Sequence, residues 1–393
     1  MVSVFERVGN AGQWVRRLLV GAGLLALAAC EAGPLPGPTI GGASSPVDVA
    51  LLVPSGSGVG ELDVIAQSLE NAARLAAADL NGVDVNLTVY STRRDSETAV
   101  AAARQAVSEG ADVILGPLDG DVAAAVGLAM RGANRSVLTF SNNTAIAGGN
   151  VYLLGQTFAD SAQRVARYAS SQGRSRVLVV HAQTVAGEAG RAAATGAVQA
   201  AGMSVVATAS YENTLPGIAA ATGTIRSTAT TSGADTLFLT STSAGALPIL
   251  AELLPEAGLG PDTVQYVGLG RWDLDPRLST MSGVQGGWFA MPDRARQAAF
   301  ASRYSSATGS NPHPLAFTAY DGIAIIGALW AQGGASPLSG QALTRQSGFQ
   351  GSLGPLRLRA NGTNQRSLAI GSIQGGQVVT IDAAPQGFGG TGF

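Results

Sequence analysis

The chain has 393 residues, with 24 basic and 26 acidic side chains, two histidines and one cysteine, for a formal net charge of −2. Every basic residue is an arginine, which excludes chemistry that needs a lysine amine: P-loop phosphate transfer, Schiff-base or pyridoxal catalysis, and a serine–lysine dyad. The balanced charge offers no basic footprint for nucleic acid, and His181 and His313 lie far apart with no HExxH pairing, so neither a metal nor a cofactor is expected.

Arg16 and Arg17 precede an apolar run over 18–29, long enough for the core of an export signal and too short for a mature membrane span. Leu27-Ala28-Ala29-Cys30 then resembles the bacterial lipobox, which implies a diacylglycerol on the Cys30 thiol and makes Cys30 the mature N-terminus; the competing reading is a small buried core side chain. A second acyl chain on the amine would complete a two-signal anchor. A twin-arginine route is poorly matched, since Val15-Arg16-Arg17-Leu18-Leu19 lacks most of that signal. Residues 1–29 are thus read as a signal peptide and 30–46, rich in Gly, Pro, Ala and Ser, as a flexible tether. Glu31 is not the aspartate associated with inner-membrane retention, which favours the outer membrane.

The folded part opens with an apolar run over 47–53 that stops at Pro54-Ser55-Gly56, the signature of a parallel strand buried on both faces. A helix over 62–80 follows, with Ile65, Leu69, Ala72, Ala73 and Ala76 at helical spacing and Asn81-Gly82 as its stop. The same unit repeats as strand 85–90, helix 96–108, strand 112–115, helix 121–130, strand 136–140 and strand 151–154. After Thr157 it starts again, with helices over 160–171, 188–201, 218–231 and 244–257 alternating with strands over 176–180, 204–209, 236–240 and 265–268. A strand over 287–291, an amphipathic helix over 295–307, an apolar helix over 314–330 and strands near Leu356, 367–373 and 378–381 complete the pattern. Alternating strands and helices predict right-handed βαβ units and an α/β fold with parallel sheets. The closing segments are too few for a third domain, so they are expected to return to the first two. Gly56-Ser57-Gly58-Val59-Gly60 is no dinucleotide loop, because Glu61 stands where the last Gly of GxGxxG is required, and no GxSxG elbow occurs. No nucleophile, base and orienter assemble from the available side chains, so an enzyme is not expected.

Residues 47–383 resemble the type I periplasmic binding proteins of the leucine/isoleucine/valine-receptor group. The likeness is carried by VALLVPSGSGVG, EGADVILGPLDGDVAAAV, LTFSNN with VYLLGQTFADSAQRVARYA, and LAFTAYDGIAIIGAL with its Ala319-Tyr320-Asp321. It implies two Rossmann-like lobes joined by three hinge strands, here drawn as 47–157 plus 292–332 and 158–291 plus 333–383, followed by a Gly-rich tail over 384–393. Ligands would sit in the cleft at the carboxyl ends of the strands. The loops expected to face it provide Ser57, Asp119, Asp121, Ser141 and Asn142 from the first lobe and Gln183, Ser241, Arg271 and Trp272 from the second, with Asp321 from the apolar helix. Each has a plainer reading: Asp121 as a helix N-cap, Asn142 as a turn former, Asp321 as a buried residue satisfied by nearby backbone. Trp272 beside Arg271 in a polar loop suits a cleft wall better than a core.

One loop departs from the amino-acid receptors of that group, which place Ser and Thr hydroxyls and N–H groups where a helix start receives a ligand carboxylate. Here the turn reads Pro117-Leu118-Asp119-Gly120-Asp121, and two carboxylates aimed into one pocket would repel that ligand while drawing Arg271 across the cleft. Gly116-Pro117-Leu118 is instead similar to the binding-protein-like domain of penicillin-binding-protein activators, outer-membrane lipoproteins that stimulate peptidoglycan synthases. The expectation is a periplasmic, lipid-anchored regulator whose partner is a peptidoglycan synthase. The alternative is the substrate-binding lipoprotein of an amino-acid-type ABC importer, partnered by a permease and a small-molecule ligand.

Overall fold

A computed structural model describes residues 45–388. The Cys30 anchor, the signal peptide and nearly all of the tether lie outside the described residues. The first sheet holds β1 (Val47–Val53), β2 (Val85–Ser91), β3 (Val113–Leu115), β4 (Val137–Thr139) and β5 (Val151–Leu153) in the order β2-β1-β3-β4-β5, all parallel. Alternation along β1 sends Val47, Val49, Leu51 and Val53 into one apolar cluster and Ala50 and Leu52 into another, so both faces are covered. Helices α2 (Ser96–Ser108) and α3 (Gly120–Arg131) cover the second face through Ala99, Ala103, Val122 and Val126. On the first face α1 (Gly60–Asp79) packs beside α9 (Ala316–Trp330), which comes from far along the chain. Gly322 of α9 lies where a Cβ would sit 2.4 Å from Leu115 Cδ1, so only glycine lets this helix come so close to the sheet.

The second sheet is ordered β15-β14-β10-β9-β8-β6-β7. Its parallel part is β6 (Arg176–Ala182), β7 (Ser204–Tyr211), β8 (Thr236–Leu239), β9 (Gln265–Gly268) and β10 (Trp288–Met291); α4 (Phe158–Ser171) leads into β6, and α5 (Val185–Ala200), α6 (Leu215–Ser232) and α7 (Leu247–Glu256) are crossovers. Antiparallel β14 (Ala369–Gln374) and β15 (Gln377–Asp382) extend its edge. The expected α/β fold with two lobes of mostly parallel sheet is therefore present. Three predicted helices begin earlier than their apolar periodicity suggested, because Thr157, Thr184 and Thr214 each accept a backbone N–H three residues ahead and set the start. The helix expected over 244–257 starts instead at Leu247, since Gly245 and Leu247 both donate N–H to Thr242 O and close a turn there.

The lobe boundary differs from the expected one. The sequence places residues 333–366 in the second lobe, whereas Leu338, Leu343, Phe349, Leu356 and Leu358 sit in the same core as α1 and α9. They belong to α10 (Gly340–Leu343), β11 (Phe349–Gly351) and β12 (Gly354–Leu358), the last two forming a separate antiparallel sheet with β13 (Asn364–Arg366). Its apolar side chains are spent on α9, so the segment has no face left for the second sheet. The chain passes between lobes near residues 154–158, 291–294 and 366–369. The Gly-rich tail is also fastened at its start: Ala384 is buried in the second core and Ser367 Oγ donates to Pro385 O.

Candidate functional site

Both sheets share one topology, in which the first strand is followed by a neighbour on one side and then on the other. That reversal opens a crevice beyond the strand ends, between β1 and β3 in the first lobe and between β6 and β8 in the second. The segments after these strands carry five of the ten candidate residues, Ser57, Asp119, Asp121, Gln183 and Ser241. Ser57 is half-buried and its Oγ accepts the Val59 N–H at 3.3 Å, while Gly56 N donates to Asp63 Oδ1 at 2.9 Å.

At the start of α3 the N-cap position belongs to Asp119, not Asp121, and Asp119 does not cap. Its Oδ1 takes Arg94 Nε at 2.9 Å instead, and its Oδ2 is buried without a protein partner. Asp121 stands exposed in the first helical turn. Arg94, rather than Arg271, thus neutralises the carboxylate nearest the crevice. Beside it Ser141 is buried, donating its N–H to Thr139 Oγ1 at 3.1 Å and accepting the Asn143 N–H on Oγ at 3.2 Å. Asn142 faces solvent.

In the second lobe Gln183 is exposed and donates Nε2 to Ser210 Oγ at 3.0 Å, and Ser241 is buried just past β8. His181 at the end of β6 is buried, with Nδ1 3.4 Å from Glu188 Oε1. Arg191, His181 and the hydrogen bond from Arg191 above all hold the Glu188 carboxyl below its ordinary value. Arg271 forks onto Asp273, with Nε 2.6 Å from Oδ1 and Nη2 on Oδ2, and reaches Gln297 Oε1 at 3.4 Å.

Two candidates are not in a cleft at all. Trp272 is 0% exposed, stacked on Phe289 with ring centroids 5.6 Å apart. Its indole fills a slot that exists only because residues 268 and 287 are glycines, where a Cβ would lie 2.2 Å from Trp272 Nε1 and 2.3 Å from Cζ3 respectively. Asp321 is also 0% exposed: Oδ2 meets Arg366 Nη1 at 2.6 Å, and Oδ1 accepts the N–H and Oγ–H of Ser352 at 2.6 and 2.8 Å. It is a structural carboxylate, held by a salt bridge as well as by backbone.

That arginine lies at the crossing point of the two lobes. Arg366 Nη2 donates to Leu154 O at 2.6 Å, its backbone N–H donates to Asp160 Oδ2 at 2.8 Å, and Asn364 Nδ2 donates to Leu153 O and Gly155 O at 2.9 and 2.7 Å. Two of the three crossovers are therefore stitched together by side chains of β13. Asp160 is buried, and desolvation pushes its carboxyl from 3.8 up to about 7, against the pull of Arg366, Arg359 and Arg167. In the unfolded chain this group ionises near its ordinary value, whereas the folded protein keeps the proton, so its contribution to stability falls as pH rises from about 4 to about 7. Asp160→Asn should remove that slope. Thermal melts of the variant and the parent should differ most above pH 7 and converge toward pH 4; a constant difference across the range would contradict the assignment.

A cavity of about 220 Å³ opens where the lobes face each other on the hinge side. Arg271 and Leu274 line it from the second lobe; from the first come Gln297 and Phe300 of α8 (Arg294–Thr308), His313 of the loop between α8 and α9, and Phe317 of α9. Burial lowers the His313 pKa, so its ring is neutral at pH 7. Of the sequence-derived candidates only Arg271 reaches this cavity. The remaining lining residues come from segments that carried no local sign of a site, apart from the Pro312-His313-Pro314 run.

Two α/β lobes, three crossovers and an interlobe cavity define a hinged binding protein. Residues 46–377 match the family model described as "Periplasmic binding protein", and the chain belongs to that family. No curated protein matches the sequence significantly. Among solved structures it is similar to a putative branched-chain amino acid ABC transporter protein from Rhodospirillum rubrum (TM-score 0.71, 18% identity, 86% of this chain and 100% of that one). It is also similar to an ABC transporter substrate-binding protein from Sphaerobacter thermophilus (TM-score 0.67, 20% identity, 88% and 100%) and to one from Desulfitobacterium hafniense in complex with Leu (TM-score 0.63, 17% identity, 85% and 99%). The family implies a periplasmic location.

Proposed function

We propose that this protein is the ligand-binding receptor of an ABC importer, and that it handles a small molecule without chemical transformation. The observation that carries this reading is the cavity walled by both lobes, since a ligand there would contact Arg271 and Leu274 on one side and α8 and α9 on the other and so favour closure. The named structural relatives favour it too, as each is described as a transporter component. The regulator reading draws on Gly116-Pro117-Leu118, the carboxylates of Asp119 and Asp121 and the lipobox at Cys30, and none of those relatives supports it. A lipid on Cys30 is part of the proposal and would tether the receptor to a membrane. The test is native mass spectrometry of the full-length protein purified from cell envelopes in mild detergent. A retained small molecule lost on mild denaturation is the expected result. A ligand-free chain that instead co-purifies a peptidoglycan synthase would overturn the receptor reading.

A further inference from the structure

The interlobe cavity has an uneven chemistry. Its walls are largely apolar, formed by Phe300, Phe317, Leu353, Ala301 and the two prolines that flank His313. Its one cation, Arg271, is already neutralised by the forked contact to Asp273, and both side chains are more than four-fifths buried. The other polar groups offer hydrogen-bond donors. Gln297 accepts from Arg271 through Oε1 and Asn311 accepts from Ser305 through Oδ1, which leaves their amide N–H groups without a protein acceptor among the described residues. His313 accepts the Leu315 N–H on Nδ1 at 3.2 Å, so its neutral ring carries the proton on Nε2.

We infer that the cavity selects an uncharged molecule with an aromatic or branched apolar body and a carbonyl-type acceptor, and that Asp273 is the residue that rejects carboxylates. The apolar walls take the body, and the donors of Gln297, Asn311 and His313 take the acceptor. A carboxylate entering the cavity would have to share Arg271, the one cation among the lining residues, with the Asp273 carboxylate that already holds its Nε and Nη2, in surroundings that solvate an unpaired charge poorly. A zwitterionic amino acid is disfavoured on the same ground. Leu274, 49% exposed at the rim, is an apolar side chain that a bound ligand and lobe closure would cover.

This proposal rests on the receptor reading and is tested separately from it. Titration calorimetry of the full-length protein in detergent with benzamide and with benzoate compares the same ring with and without charge. Benzamide should bind at least tenfold more tightly. Ala301→Trp, which fills the cavity from α8, should abolish its heat, and Asp273→Asn should raise the affinity for benzoate at least tenfold by freeing Arg271. Benzoate binding the parent as tightly as benzamide, or benzamide binding unchanged in Ala301→Trp, would overturn the proposal. So would a retained envelope ligand that carries net charge. Benzamide binding with no ligand retained from envelopes would count against the receptor reading while upholding the cavity's selectivity.

Discussion

Arg366→Ala should be the most damaging single substitution in the hinge, costing about 3–5 kcal/mol and lowering the melting temperature by roughly 10 °C. The loss has two sources. Asp321 would keep its Ser352 contacts but lose its guanidinium partner in a site with no solvent access, and Leu154 O would lose both of its guanidinium donors. Lysine should not rescue, because one ammonium cannot reproduce a planar fork that serves a carboxylate and a carbonyl together. Replacing both partners, as Asp321→Asn with Arg366→Met, should cost less than Arg366→Ala alone, since no charge is then stranded. Urea unfolding of the single and double variants provides the comparison. Equal stability of Arg366→Ala and the parent would mean that the pair contributes nothing.

Trp272→Ala should cost about 3–5 kcal/mol, as expected when a large buried aromatic is truncated. The slot cannot collapse around the smaller side chain, because its walls are backbone at Gly268, the end of β9, and at Gly287, just before β10. Trp272→Phe should recover part of the loss by restacking on Phe289. The decisive comparison is with ligand binding. A tryptophan in the cleft wall would change affinity in the Phe variant, whereas the core position described above predicts reduced stability with unchanged affinity.

The misreading of Trp272 shows where sequence reasoning stops. The segment Gly270-Arg271-Trp272-Asp273 is polar on every side, and nothing within it reports that Gly268 and Gly287 leave room for an indole underneath. The strands of both sheets were legible because burial on two faces demands largely apolar runs, as in 49–53 and 177–180. Strand β13 was not legible. Asn364, Gln365 and Arg366 look like a solvated turn, yet all three are buried, and Asn364 and Arg366 reach the crossover carbonyls. Asp119 follows β3 as its loop position suggests, but its partner Arg94 lies 25 residues upstream in a loop where Arg93 and Arg94 both adopt positive φ, at 54° and 57°. The cavity itself draws on four segments separated in sequence, so no spacing rule could have assembled it.

The return of α9, β11 and β12 to the first lobe also sets the order in which the protein can be completed. The first sheet leaves the ribosome early, but the cover of α1 is not complete until residues 316–358 follow. A chain stopped short of that point would carry the second-lobe crossovers beside a first lobe whose core around Ile65, Leu69 and Ala73 is left open. Such products are targets for proteases and chaperones, not partly working proteins. A nonsense or frameshift change late in the gene should therefore deplete the protein as thoroughly as an early one, even though it removes no residue of the strand-end crevice.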